Sequence, residues 1–120
     1  MQRTNDLLER TKKFALATIH FCEGLPKDET SRVLGRQLLR SGTSVGANYR
    51  AAHRAKSKAD FISKMCIASK EARETHYWLR LVAASNLLNA GQIKPCADEC
   101  NELIAILTSI IKKMRAKRKG

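Results

Sequence analysis

Proline is nearly absent from this chain, with two residues among 120, and aromatic side chains supply only 5% of it. No apolar stretch approaches the ~20 residues that a membrane helix needs. No segment alternates apolar and polar positions with the period of two that marks a half-buried strand. Acidic residues are also scarce, 11 against 23 lysines and arginines, which leaves a formal net charge of +12. The first three shortages point to helices and argue against a membrane-spanning one, and the length allows one domain. The fourth points to an anionic partner, meaning nucleic acid, an acidic protein or an anionic surface. No secretory leader is expected, because Asp6 and Glu9 interrupt the N-terminus before any apolar run. The four cysteines, Cys22, Cys66, Cys96 and Cys100, lack the tight spacing of a zinc knuckle. They read as small buried hydrophobes of a cytoplasmic protein with reduced thiols, and no metal or cofactor is expected.

What the chain does have is leucine, isoleucine and alanine at helical spacing. The first helix is expected from Asn5 or Asp6 to about Cys22, with Gly24 as its stop and Pro26 behind it. The second runs from about Glu29 to Arg54. The third starts near Ser57, with Asp60 three residues on, and extends to about Leu88, closed by Asn89-Ala90-Gly91. The fourth starts near Pro95 and dissolves into a basic tail after Met114. Short connections make neighbours antiparallel, so the fold class is an all-α, up-and-down antiparallel four-helix bundle. The bundle domain spans 1–114, with 115–120 as a flexible basic tail.

The stretch Gly42-Thr43-Ser44-Val45-Gly46 matches the G-x-S-x-G of a hydrolase nucleophile elbow. That motif needs a strand before it, a helix after it and a large parallel sheet around it. Here the preceding residues are helix formers, and no acid–His pair is placed to serve Ser44. A helix broken at Gly42 is the main alternative to a continuous one, since each Gly costs about 1 kcal/mol relative to Ala inside a helix. Projection at about 100° per residue, with Arg32 at zero, favours continuity. Gly35, Gly42 and Gly46 converge within about 280–320°, a seam where a neighbouring backbone comes close, within the fold or in a second subunit. Arg32, Arg36, Arg40, Arg50 and Arg54 share another stripe, suited to phosphate because each fork binds two oxygens. Gln37, Ser41, Ser44 and Asn48 form a polar strip beside the apolar face. On the third helix, Glu71 and Glu74 share an arc with Ile67, Trp78 and Leu81. Carboxylates among apolar groups need hydrogen bonds or a cation, and Arg40, Ser44 and Asn48 are the expected partners in a structural polar network. Di-iron chemistry is disfavoured, because neither Glu has a His three residues on. Apolar residues around most of the third and fourth helices predict oligomerisation, of a size the pattern does not fix.

The run "LPKDETSRVLGRQLLRSGTSVGANYRAAHRAKSKADFISKMCIASKEARETHYWLRLV" resembles the small bacterial four-helix-bundle family encoded by intervening sequences in large-subunit ribosomal RNA genes. The residues that carry the likeness are Leu25-Pro26, Gln37, Arg40, Ser44, Asn48, Lys58, Phe61, Glu71, Glu74, Tyr77 and Trp78. The likeness is detailed over the middle half of the chain and extends to the flanking helices in pattern only. Ala51 stands where the family usually has Glu, so that carboxylate's role is absent or moved. The resemblance implies a ring-like homopentamer. It also extends to a relative, the accessory variability protein of diversity-generating retroelements, which is similar to a basic barrel that binds nucleic acid and a reverse transcriptase. The ribosomal label sometimes attached to the family concerns genomic location and does not establish ribosome membership.

The function expected is non-enzymatic binding of RNA or DNA with low sequence specificity. The residues expected to carry it are Arg32, Arg36, Arg40, Arg50 and Arg54 with Lys112, Lys113, Arg115, Lys117, Arg118 and Lys119. No aromatic platform is expected on the basic face, which argues against base stacking. The alternative is a scaffold that recruits an acidic protein such as a reverse transcriptase or a ribosome-associated factor. No catalytic residue is expected. Ser44, Glu71, Glu74 and His76 are the only candidates, and no recognisable constellation joins them.

Overall fold

The computed structural model describes residues 3–119, with side chains from Asp6 to Lys117. Four helices account for almost all of it: α1 (Arg3–Glu23), α2 (Glu29–Ala52), α3 (Lys58–Ala84) and α4 (Ala90–Lys119). Their limits follow from local chemistry. The Gly24 amide bonds back to the His20 and Phe21 carbonyls and closes α1. The Asp28 carboxylate accepts from the Ser31 amide at 2.8 Å and caps α2. The Ser57 hydroxyl accepts from the Asp60 amide at 3.0 Å and caps α3.

The link between α3 and α4 differs from the sequence expectation. α3 stops at Ala84, and Asn86 takes a left-handed backbone, φ 59°, a conformation that Asn tolerates better than most residues. Asn89 opens the next helix instead of closing the last, its side chain accepting from the Gly91 amide at 2.6 Å. Pro95 therefore sits inside α4, in its second turn. The hydrogen bond it forfeits would have gone to Gly91, an exposed residue whose carbonyl water can reach. At the other end, α4 continues helical through the lysine-rich segment to Lys119, beyond the Met114 limit expected from the sequence.

α2 is continuous, as the glycine arc requires. It packs on α1 on one side and α3 on the other, α3 packs on α4, and α1 and α4 touch more sparingly. All adjacent pairs are antiparallel, and the molecule is a rod of 51 × 24 × 21 Å. Leu38, Val45, Met65, Leu79, Leu103 and Leu107 are wholly enclosed, each worth about 1.5–3 kcal/mol relative to exposure. The glycine seam faces α1. A Cβ at Gly42 would stand 2.6 Å from Thr18 Cγ2, and one at Gly46 would stand 3.1 Å from Thr11 Oγ1. Both threonines are buried, and their hydroxyls donate to carbonyls of their own helix, Thr18 to Ala15 and Thr11 to Leu7. Gly35 meets Leu25 of the α1–α2 link in the same way. The seam thus serves contacts within the chain. Across the sparser α1–α4 joint, Arg10 binds Glu99 at 2.7 Å and Glu102 at 2.9 Å, contacts that raise the guanidinium's pKa further.

Candidate nucleic-acid interface

Antiparallel packing gathers sequence-distant cations at one end of the rod. Thr11 lies against Gly46, Arg115 against Cys66, and Asp6 and Lys113 line the same groove. The start of α1, the end of α2, the start of α3 and the end of α4 therefore share that end. Arg50 closes α2, Arg54 and Lys56 occupy the link, Lys58 opens α3, and Lys112, Lys113, Arg115 and Lys117 line the end of α4. All of these side chains are exposed. Among the described residues none of them is in an ion pair, while nearby Asp60 is held by Lys64 at 2.9 Å. Cations also suit helix C-termini, where the backbone dipole is negative. The Arg118 and Lys119 side chains lie outside the described residues.

The α2 arginine stripe is less uniform than its periodicity suggests. Arg32 pairs with Glu29 at 3.3 Å. Arg40 is committed to α3, with Nη1 3.3 Å from Glu71 and Nη2 2.9 Å from Glu74. Arg54 lies beyond the end of α2, so the helical period no longer fixes its direction. Arg36 and Arg50 remain exposed and unpaired among the described residues.

Of the three partners expected for Glu71 and Glu74, Arg40 alone meets them. Ser44 donates to the Arg40 carbonyl at 2.6 Å, and Asn48 donates to the Ser44 carbonyl at 2.9 Å. Neither reaches a carboxylate: both sit one turn from a backbone acceptor in their own helix, which short polar side chains find first. Gln37 joins instead, its Oε1 accepting from Arg40 Nη2 at 3.3 Å. Glu71 is buried, so Arg40 supplies the counter-charge that a carboxylate there needs. The same guanidinium holds the Glu74 carboxyl below its usual range.

A second feature lies along α3 and α4. An open groove of about 590 Å³ is lined by Cys66, Ser69, Lys70, Arg73, Glu74, Tyr77 and Trp78 of α3, and by Thr108, Ile111, Lys112 and Arg115 of α4. Tyr77 is 57% exposed and stands edge-on to Trp78, ring centroids 5.1 Å apart. Tyr77 therefore stands exposed among the cations of the groove. Helical spacing sets Trp78 on the arc of Glu71 and Glu74, and no period within α3 shows that the end of α4 lies beside it. Cys66 lines this groove, while Cys96 and Cys100 are buried and their thiols pushed up to about 12 by desolvation. Among the described residues no group of three His, Cys, Asp or Glu is placed to hold a metal. Among the described residues no helix is long and apolar enough to cross a membrane.

The family model described as "23S rRNA-intervening sequence protein" matches residues 3–109, a stretch that ends before the cluster Lys112–Lys119. Among solved structures, one that is similar is a protein with unknown function from the S23 ribosomal protein family of Bacteroides thetaiotaomicron VPI-5482, a crystal structure at 1.70 Å resolution. It is 38% identical, the alignment covers 92% of this chain and 99% of that one, and the TM-score is 0.86. Nothing among curated proteins matches. With a family model spanning nearly the whole helical rod, and a neighbour that shares both sequence and fold, the chain belongs to the 23S rRNA-intervening sequence protein family.

Proposed function

We propose that the protein is a non-enzymatic, oligomeric module that binds RNA or DNA, with little sequence preference, through the basic end of its bundle. The observation that carries this reading is the set of exposed cations, Arg50, Arg54, Lys56, Lys58, Lys112, Lys113, Arg115 and Lys117, gathered there with none in an ion pair among the described residues, Lys56 touching Asp60 only through its backbone amide at 3.4 Å. Arg118 and Lys119 extend the same sequence cluster. Unpaired cations at this density attract phosphates and release their counterions. Arg32, Arg36 and Arg40 contribute to the field of the rod, although Arg40 is occupied with Glu71 and Glu74. A non-enzymatic role is supported by the candidate catalytic groups themselves. Ser44 is tied to its own backbone, and Glu74 is occupied by Arg40.

Exposed Leu16, Val33, Leu39 and Ile67 on three helices support self-association, and the family resemblance supports five copies. Five basic ends would add avidity. Four free cysteines support a reducing, cytoplasmic setting. The reading is tested by filter binding of RNA and DNA over a salt series. The expected log–log slope is about −0.7 to −0.9 per phosphate contact. Affinity indifferent to salt would remove this mechanism, and partners that survive nuclease treatment would mark an acidic protein as the ligand instead. Native mass spectrometry reads the copy number.

A further inference from the structure

We propose that the groove between α3 and α4 is a single-strand site, where an unpaired base stacks on Tyr77 while its phosphates rest on the surrounding cations; this rests on the nucleic-acid reading above. Several observations converge on it. Lys70, Arg73 and Tyr77 follow one another at spacings of three and four residues, so they form one stripe along α3. Lys112 and Arg115 face them from α4. The lining combines the aromatic Tyr77 and Trp78 and the apolar Ile111 with four cations, Lys70, Arg73, Lys112 and Arg115. The one acid of the lining, Glu74, is already bound by Arg40 at 2.9 Å and approached by Lys70 at 3.6 Å.

Among the described residues, the two arginines that line the groove make only long, neutral contacts. Arg73 Nη2 lies 3.4 Å from Thr108 Oγ1, and Arg115 Nη2 lies 3.5 Å from Cys66 Sγ. Their charge remains available to an anion. A purely apolar occupant would leave these cations facing it without a partner. An acidic peptide would satisfy the cations and leave the exposed Tyr77 face unused. A nucleotide strand supplies both parts at once: a flat apolar face for the ring and a phosphate for the guanidinium. A duplex does not, because its base faces are covered by neighbouring pairs. The groove extends about 18 Å along α3, from Cys66 to Trp78, at 1.5 Å per residue. It thereby turns a general electrostatic attraction at the end of the rod into a preference for unpaired segments.

The chain's single tryptophan, Trp78, lies in this groove and reports on it. The experiment titrates full-length protein with a single-stranded oligouridylate and with a blunt RNA duplex of equal charge, following Trp78 fluorescence and, in parallel, filter binding. Quenching by the single strand and not by the duplex is expected. Tyr77→Ala should weaken single-strand affinity by roughly 5- to 100-fold, leave duplex affinity unchanged, and be rescued by Tyr77→Phe. Because Tyr77 is more exposed than buried, the alanine variant should keep its fold, as circular dichroism will show. Single-strand affinity untouched by Tyr77→Ala, with both probes still bound, overturns the groove proposal and leaves the basic-end reading standing. Failure to bind either probe overturns both. Tyr77-dependent binding of polyglutamate, or a change of oligomeric mass in Tyr77→Ala, gives the groove a different occupant and also overturns the proposal.

Discussion

Replacing Gly42 with alanine tests the packing of the bundle at its tightest point. The added Cβ would stand 2.6 Å from Thr18 Cγ2, 2.7 Å from Oγ1 and 2.9 Å from Cβ. Rotating Thr18 gives no escape. Its χ1 is stiff because it is β-branched, its hydroxyl holds the Ala15 carbonyl at 2.7 Å, and its own Cβ is among the atoms struck. α1 has to withdraw from α2 along the seam. Overpacking of this kind costs typically about 1–3 kcal/mol, the strained hydroxyl contact about 1 kcal/mol more, and the helix propensity of alanine returns about 1 kcal/mol. The net expectation is a loss of about 1–3 kcal/mol, or a melting temperature lower by roughly 4–12 °C. Gly46→Ala is the internal control. Its nearest contacts, 3.1 and 3.2 Å to Thr11, ask for a shift of only a few tenths of an ångström, so cost and gain should cancel to within about 0.5 kcal/mol. Thr18→Ala in the Gly42→Ala background should recover stability beyond additivity, with a coupling of about 1 kcal/mol or more. Urea denaturation of the wild type, the three single variants (Gly42→Ala, Gly46→Ala and Thr18→Ala) and the double variant reads all of this. Should Gly42→Ala stabilise the protein, as at an open helix position, the seam is not a close contact and the reasoning fails.

Further outcomes follow from the ion pairs and thiols. Arg40→Ala should destabilise the protein more than Arg36→Ala does, since only Arg40 faces the buried Glu71; paired thermal melts compare them. The Glu74 carboxyl is held below its usual range by Arg40, so its contribution is complete above the ordinary glutamate pKa of ~4.3 and is lost as pH falls below it. Arg40→Gln should flatten that acid limb in melts run across this window. With their thiols pushed up to about 12 and buried, Cys96 and Cys100 should resist iodoacetamide at neutral pH until urea unfolds the chain. The half-buried groove cysteine Cys66 should react first in the native protein; mass spectrometry assigns the labelled sites.

The sequence made the helices legible, and the reason is visible in α2. Asp28 and Gly24 punctuate its start, and the period of Gly35, Gly42 and Gly46 shows that it does not break. What sits opposite a face is a different matter. Nothing in the spacing of Arg40 distinguishes it from Arg36, yet Arg40 meets two carboxylates and Arg36 meets solvent. Ser44 and Asn48 looked like partners for those carboxylates, but a local carbonyl was nearer. Asn89-Ala90-Gly91 read as a stop, and the left-handed turn instead fell at Asn86, which left Asn89 free to cap α4. The candidate site was partly legible in the same sense. The arginines and the lysine tail stood out as charge, but their meeting at one end depends on which helix termini adjoin, and Tyr77 joins the cations only once α4 is laid beside α3.

The most direct test of the account replaces Arg50, Arg54, Lys56 and Lys58 together with glutamine and measures the salt dependence of RNA binding against the wild type. A variant at the opposite end of the rod, with the three cations Lys27, Arg32 and Arg36 changed to glutamine, serves as the comparison. The account predicts a slope shallower by about 0.7–0.9 for each lost contact in the first variant, and a slope close to wild type in the second. Equal slopes in all three proteins, or a loss confined to the second variant, would contradict it.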